Sequence, residues 1–121
     1  MLVVDDDAPV RKALLRLIRA AGYDVEALED AAAYLAREPT EALACLVLDI
    51  RMPGMSGLDL LHAIEGTSRA LPIVFITGHG DEAVRSQALA AGAVEVLYKP
   101  LDDVALLSAI ERAFSLSGRK S

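Results

Sequence analysis

The sequence lacks tryptophan, contains one cysteine and has few aromatic residues, which make up 4% of its 121 residues. Its single cysteine, Cys45, cannot form an intramolecular disulfide bond, so we expect a fold that needs no covalent cross-link. Because Cys45 begins an apolar run, we interpret it as a small buried hydrophobic residue rather than a reactive thiol. This cysteine usage is compatible with a reducing cytoplasm, and we expect a cytoplasmic protein.

Long hydrophobic runs are also missing, since none approaches the roughly 18 residues that a membrane span requires. The first residues, Met1–Asp5, lack the basic segment of a signal peptide and turn acidic at once. Basic residues are in deficit, because 12 Lys and Arg oppose 18 Asp and Glu, for a net charge of −6. We therefore expect neither membrane nor nucleic-acid contact by this domain, although a longer protein could carry a separate DNA-binding domain.

Short apolar runs alternate with helical patterns along the chain, in which 54% of residues are hydrophobic. The predicted strands are Met1–Val4, Val25–Leu28, Leu46–Leu48, Ile73–Ile76 and Val94–Leu97. The first, third and fourth are nearly continuous in Leu, Val and Ile, which is typical of parallel strands buried on both faces. Between them, the predicted helices are Val10–Ala21, Ala31–Arg37, Ser56–Glu65, Asp81–Ala91 and Asp102–Phe114.

Five repeats of a strand followed by a helix predict one parallel sheet with helices on both faces. We assign residues 1–115 to this domain and residues 116–121 to a tail or the start of a linker. Gly22 and Gly92 are placed to end the first and fourth helices. In the fifth helix the predicted inward residues are Val104, Leu107, Ile110 and Phe114.

Polar residues whose side chains can bind ions or take part in a reaction follow four of these strands: Asp5, Asp6 and Asp7, then Asp49, Thr77 and Lys99. Sites in open parallel sheets lie outside the carboxyl ends of the strands, so we expect these side chains to share one pocket. Two carboxylates about 4 Å apart repel by roughly 4 kcal/mol at an effective dielectric constant near 20, and a divalent cation removes that cost. Oxygen ligands of this kind favour Mg²⁺.

Each aspartate taken alone could instead be a helix N-cap. Asp7 is predicted to be one, because Ala8 and Pro9 follow it and proline suits the first helical turn.

Four segments, each at a strand end, resemble the motifs of one family: Val3-Val4-Asp5-Asp6-Asp7, Leu48-Asp49-Ile50-Arg51-Met52-Pro53-Gly54-Met55-Ser56-Gly57, Ile76-Thr77-Gly78-His79-Gly80-Asp81 and Tyr98-Lys99-Pro100. Their order and spacing resemble the receiver (CheY-like) domain of two-component response regulators over nearly the whole chain. The second and third segments are most similar to the FixJ-type subgroup. The resemblance implies a doubly wound (βα)5 α/β fold, a flavodoxin-like three-layer sandwich with a five-stranded parallel sheet in the order 2-1-3-4-5.

The resemblance also implies roles for individual residues. Asp49 would accept a phosphoryl group from a histidine of a sensor kinase, and Lys99 would pair with Asp49 and then with a phosphoryl oxygen. Thr77 would hydrogen-bond another phosphoryl oxygen. Mg²⁺ would be held by Asp6, by Asp49 and by the backbone carbonyl of Arg51, with Asp5 contacting it through water.

On this interpretation the domain is not an enzyme in its own right, but a phosphoacceptor that assists its own phosphorylation and dephosphorylation. The signal would leave through a surface made by helix 4, strand 5 and helix 5. In the family this surface serves a phosphorylation-dependent homodimer or an output domain, which in FixJ-type relatives is usually a helix-turn-helix DNA-binding domain. The Lys99-Pro100 bond is expected to be cis, as in the family.

The sequence departs from the family where an aromatic residue is expected three positions before the lysine. Val96 occupies that position, while Tyr98 shares its side of the strand and could substitute for the aromatic switch. Arg51 and His79 occupy positions that influence phosphoryl lifetime in the family, and a solvent-exposed loop residue is the simpler interpretation of His79.

Two alternative functions stay open at this level. A pseudo-receiver would bind partners without phosphorylation, and Val96 at the switch position leaves room for it. A haloacid-dehalogenase-like phosphatase would use Asp5 as its nucleophile, Asp7 as its acid and Asp102-Asp103 as a late acidic pair. We interpret that late pair instead as the start of the fifth helix.

Overall fold

The computed structural model describes residues 1–38, 44–78 and 82–116. Strands and helices alternate along the chain as β1 (Leu2–Val4), α1 (Ala8–Ala20), β2 (Glu26–Leu28), α2 (Ala31–Ala36), β3 (Leu46–Asp49), α3 (Gly57–Ile64), β4 (Ile73–Thr77), α4 (Glu82–Ala90), β5 (Glu95–Tyr98) and α5 (Asp103–Leu116). The five strands form one parallel sheet in the order β2-β1-β3-β4-β5. Both the element order and the strand order predicted from the sequence are therefore confirmed.

Each face of the sheet carries its own hydrophobic core. One face packs under α2, α3 and α4, around Phe75 and Leu60, while the other packs under α1 and α5, around Ile18 and Ile110. Strands β1, β3 and β4 are buried along their whole length, as their uninterrupted apolar sequences predict. Cys45 is fully buried in the second core, and burial raises the pKa of its thiol to about 12, which confirms its assignment as a hydrophobic residue.

Local capping signals fix where the helices begin and end. Asp7 caps α1 by accepting a hydrogen bond from the Val10 amide at 3.3 Å, and Pro9 lies in the first turn. Gly22 and Gly92 follow α1 and α4 with φ of 97° and 104°, in the left-handed region that only glycine adopts without strain. The side chain and backbone of Ser56 form a reciprocal capping box with Asp59 at the start of α3.

The inward face of α5 differs from the predicted one at its start. Val104 is 78% exposed, so the expectation that it faces the core is wrong. Ile110 is buried, and Leu107 and Phe114 pack against the core, as predicted. The other buried residues are Leu106, Ala109 and Ala113, and the two alanines let the helix lie close to the sheet. A prediction based only on the positions of large apolar residues was therefore wrong for the first turn of this helix.

Two predicted boundaries fall partly outside the described residues. The predicted start of the fourth helix at Asp81 and most of the tail, residues 117–121, lie there, whereas α5 itself extends to Leu116. Within the described residues, no helix combines the length and apolar character that a membrane crossing would require.

Candidate functional site

Four strands deliver polar residues to one edge of the sheet. Asp49 and Thr77 are the last residues of β3 and β4, one position inside the strands rather than just beyond them, as the sequence had suggested. Asp5 and Lys99 directly follow β1 and β5. Backbone hydrogen bonds fix this edge, since the Lys99 amide donates to the Thr77 carbonyl at 2.8 Å. The sheet register therefore sets the spacing of the site.

Three carboxylates meet at this edge. Asp5, Asp6 and Asp49 each place a carboxylate oxygen within 4.8 Å of the others. Asp5 and Asp49 are buried, whereas Asp6 is exposed at the mouth of the cluster. Buried like charges at this separation repel strongly, because little water screens them. The arrangement therefore favours a cation.

Lys99 provides part of the positive charge that offsets the three carboxylates. Its ammonium lies 3.4 Å from Oδ2 of Asp5 and 3.4 Å from Oδ2 of Asp49. Burial lowers the pKa of Lys99, but the attraction of Asp49 and Asp5 outweighs it and leaves the pKa above its usual value. For Asp49 the balance is reversed, because burial and the neighbouring Asp5 carboxylate outweigh Lys99 and raise its pKa to about 6. One ammonium thus does not neutralise the pocket.

Backbone amides donate hydrogen bonds to some oxygens of the site, while two other oxygens accept none from the described residues. Oδ1 of Asp5 accepts from the Asp7 amide at 2.9 Å, and Oδ1 of Asp49 accepts from the Arg51 amide at 3.1 Å. By contrast, Oδ2 of Asp5, which lies 3.4 Å from the Lys99 ammonium, and Oγ1 of Thr77 are buried and make no hydrogen bond with the described residues. Buried polar atoms are rarely left in this state, so these two oxygens point to a bound species that completes the site. The donor set fits a hard cation beside an anionic group.

Comparisons with known proteins agree with this geometry. The family model described as the response regulator receiver domain matches residues 1–111. The chain is 41% identical over 115 residues to the response regulator protein TodT of Pseudomonas putida, covering 95% of this chain and 51% of that protein. It is also 41% identical over 111 residues to the transcriptional regulatory protein FixJ of Rhizobium meliloti, covering 92% of this chain and 54% of that protein. The chain belongs to the response regulator receiver family.

Solved structures of receiver domains share the fold described above. The response regulator StyR superposes with a TM-score of 0.87 at 48% identity, covering 97% of this chain and 59% of that one. The crystal structure of FixJ-N superposes with a TM-score of 0.81 at 38% identity, covering 94% and 91% of the two chains. This receiver domain spans about half the length of TodT and FixJ. The predicted similarity to the FixJ-type subgroup is confirmed.

Several sequence-based expectations can be compared with this receiver domain directly. The Lys99-Pro100 peptide bond is cis, as the resemblance implied. Asp102 accepts hydrogen bonds from the amides of Val104 and Ala105, at 2.9 and 3.2 Å, and so starts α5 rather than serving a phosphatase site. His79 lies outside the described residues, and the metal-binding role of the Arg51 carbonyl stays a prediction.

Val96, at the position where the family has an aromatic residue, packs into the hydrophobic core. Val96 is 3% exposed and lies in the core beneath α4. Tyr98 pairs in register with Thr77, and its hydroxyl donates to Oε1 of Glu82, in the first turn of α4, at 3.1 Å. Tyr98 therefore links strand β5 to α4, although from the outer surface rather than from the buried switch position.

Sequence reasoning gave no role to two residues that contact the site. The Arg11 guanidinium donates to the backbone carbonyl of Asp5 at 2.7 Å. A Cβ added at Gly57 would lie 2.6 Å from the carbonyl oxygen of Asp49, so α3 packs directly against the aspartate backbone. Gly57 belongs to one of the motifs, but the sequence does not show why glycine is needed there. Arg11 could not be told apart from the other basic residues of the first helix.

Proposed function

We propose that Asp49 is the phosphoacceptor and that its donor is a phosphohistidine of a sensor kinase. A carboxylate oxygen of Asp49 forms the new P–O bond while the P–N bond of the phosphohistidine breaks. The histidine nitrogen leaves with the bonding electron pair, and the product is an acyl phosphate on Asp49. The support for this role is its position at the end of β3, 4% exposed, among the carboxylates and the ammonium of the site.

The observation that carries the proposal is the cluster of three carboxylates, in which Oδ2 of Asp5 is buried and makes no hydrogen bond with the described residues. These residues fit Mg²⁺, which Asp6, Asp49 and the backbone carbonyl of Arg51 would hold directly and Asp5 would contact through water. When bound, Mg²⁺ neutralises charge that develops on the phosphoryl oxygens. The domain on this proposal assists its own phosphorylation and dephosphorylation and acts on no separate substrate.

Lys99 and Thr77 complete the phosphoryl site in this proposal. The Lys99 ammonium, already 3.4 Å from Asp49, moves its ion pair to a phosphoryl oxygen as the carboxylate is esterified. The hydroxyl of Thr77 can donate to another phosphoryl oxygen, because it makes no hydrogen bond with the residues that the structure describes. Such donors stabilise the charge that spreads over the equatorial oxygens during transfer.

We propose further that phosphorylation is read out on the surface formed by α4, β5 and α5. Glu95 of β5 ties these elements together, because its carboxylate lies 3.4 Å from Arg85 of α4 and 3.3 Å from Arg112 of α5. A shift of Thr77 toward the phosphoryl group moves the end of β4 next to Tyr98, which contacts α4. Movement at the site thus has a connected route to this surface.

The partners of that surface are proposed from the relatives. FixJ is named a transcriptional regulatory protein, and the chain matches about half of it. We propose that the surface controls a phosphorylation-dependent homodimer, an output domain that binds DNA through a helix-turn-helix, or both. Size-exclusion chromatography with and without beryllofluoride tests the homodimer, which is expected only when the phosphoryl mimic is bound.

The acceptor is tested by incubating the domain with acetyl phosphate and Mg²⁺ and measuring its intact mass. We expect the mass of one added phosphoryl group, lost in Asp49→Ala and lost when EDTA removes the cation. Asp7→Asn is the matched control, since it removes one negative charge from the β1–α1 loop while keeping an acceptor for the α1 cap. That variant should be phosphorylated like the unmodified domain.

The outcomes separate the competing functions. An adduct that survives Asp49→Ala would mean that another residue is the acceptor. A folded domain that gains no phosphoryl group and binds no beryllofluoride would favour the pseudo-receiver, which acts without phosphorylation.

A further inference from the structure

Several hydrogen bonds hold the β1–α1 loop, and they involve both the backbone and the side chains of Asp5 and Asp7. The Asp5 carbonyl accepts from the Arg11 side chain at 2.7 Å, and Oδ1 of Asp5 accepts from the Asp7 amide at 2.9 Å. The Asp7 carbonyl accepts from the Arg11 amide at 2.9 Å, and its side chain caps α1 through Val10. Two acceptors of the loop face the site: Oδ2 of Asp5, which makes no hydrogen bond with the described residues and lies 3.4 Å from the Lys99 ammonium, and the exposed carboxylate of Asp6.

The side chain of Arg11 reaches back from α1 to the end of β1, where it donates to the Asp5 carbonyl. Arg11 is half-buried, and at 2.7 Å the contact has the short length of a charge-assisted hydrogen bond. The bonded carbonyl belongs to the peptide unit between Asp5 and Asp6. Fixing that unit fixes the backbone from which both carboxylates project.

We propose that Arg11 is a positioning residue for the cation site, which orients Asp5 and Asp6 through the Asp5 carbonyl. This inference rests on the proposed cation site but concerns a residue that touches neither the cation nor the phosphoryl group. It assigns to the basic face of α1 a function beyond solubility. The alternative for any basic residue on a surface helix is a solvated charge that only contributes to the local field.

The two explanations predict opposite signs for the loss of the Arg11 charge. If Arg11 acted only through its field, its removal would strengthen Mg²⁺ binding, because a nearby positive charge repels the cation. If it positions the loop, its removal weakens binding, because the carboxylates lose their fixed spacing. The sign of the change in affinity therefore distinguishes positioning from electrostatics without any measurement of phosphorylation.

The experiment is a titration of the ¹⁵N-labelled domain with MgCl2, followed by NMR for the unmodified chain, Arg11→Gln, Arg11→Lys and Lys12→Gln. Lys12 is the matched control, because it is an exposed basic residue next to Arg11 on the same helix. Arg11→Gln should bind Mg²⁺ about tenfold more weakly, the scale expected for loss of a hydrogen bond from a charged donor. Arg11→Lys should fall between it and the unmodified chain, and Lys12→Gln should bind no more weakly than the unmodified chain.

A second readout needs no cation. In the metal-free domain the Asp7 amide donates to Asp5, so Arg11→Gln should shift the Asp7 amide resonance and speed its hydrogen exchange, whereas Lys12→Gln should do neither. Should Arg11→Gln not fold, Arg11→Lys alone decides, since positioning requires it to bind Mg²⁺ more weakly than the unmodified chain.

Three results would overturn the inference. One is Arg11→Gln, or Arg11→Lys in its place, binding at least as tightly as the unmodified chain. Another is an equal weakening in Lys12→Gln, which would show that the effect does not depend on the hydrogen bond from Arg11 to the Asp5 carbonyl. The third is absence of Mg²⁺ binding by the unmodified chain, which would refute both the proposed cation site and this inference. The first two results would refute the role of Arg11 and leave the cation site intact.

Discussion

Gly57→Ala is the substitution that best tests how tightly the fold holds Asp49. A methyl group there would lie 2.6 Å from the Asp49 carbonyl oxygen, 2.9 Å from the Cα of Ile50 and 3.0 Å from a ring carbon of Phe75. Two of these atoms belong to the backbone and cannot rotate away. Restoring an ordinary contact of 3.4 Å would require α3 and the end of β3 to separate by about 0.8 Å.

That displacement has two measurable consequences. Overpacking of this kind destabilises a domain by about 1–3 kcal/mol, which urea unfolding measures. The backbone of the proposed acceptor also moves relative to Lys99, and a misplacement of about 1 Å can reduce a reaction rate roughly 100-fold. We therefore expect Gly57→Ala to fold, to lose stability and to be phosphorylated by acetyl phosphate far more slowly.

Gly66→Ala is the control that separates the effect of lost stability from the effect of a displaced Asp49 backbone. Gly66 has φ of 75°, so alanine is strained there, yet no atom of the described residues lies within 4 Å of the added methyl group. It follows the carboxyl end of α3, away from the site, and should lose stability by about 1 kcal/mol with an unchanged rate of phosphorylation. If Gly57→Ala reacts as fast as Gly66→Ala, the reasoning from the close contact is wrong.

Three further predictions concern pH, a buried hydrogen bond and the corrected helix face. Because the pKa of Asp49 is raised from 3.8 to about 6 on folding, its proton is held more tightly in the folded state. The metal-free domain should therefore lose stability relative to Asp49→Asn as pH rises from about 4 to about 6, and parallel curves in urea unfolding would contradict this. Tyr34→Phe deletes a 2.8 Å hydrogen bond from a buried hydroxyl to the Arg69 carbonyl, and should cost about 1–2 kcal/mol in the same assay without changing phosphorylation. Val104→Ala should change stability by less than about 0.5 kcal/mol, whereas Leu106→Ala should cost about 2–5 kcal/mol; similar costs would restore the original assignment of the helix face.

The local sequence was sufficient to predict the fold. Uninterrupted apolar runs such as Leu46–Leu48 can be buried on both faces only in a sheet covered by helices, so their alternation with amphipathic segments selects a parallel α/β fold. The same topology brings the carboxyl ends of all strands to one edge. For that reason Asp5, Asp49 and Lys99 could be assigned to one pocket before any distance was known.

The resemblance of four motifs to receiver domains added the strand order and the individual roles. The strand order agrees with the structure, while the roles of single residues stay predictions. Caps such as Asp7 and Gly22 were also predictable, because capping depends on neighbours a few residues away.

Tertiary structure alone decided which atoms of the site have partners. Lys99 lies between Asp5 and Asp49 because three strands bring together residues up to 94 positions apart in the sequence. No local pattern predicts that Arg11 reaches the Asp5 carbonyl, or that Gly57 leaves no room for a methyl group beside Asp49. Local sequence sets secondary structure and its caps, but contacts between distant segments depend on the packing of whole elements, which no short stretch of the sequence reveals.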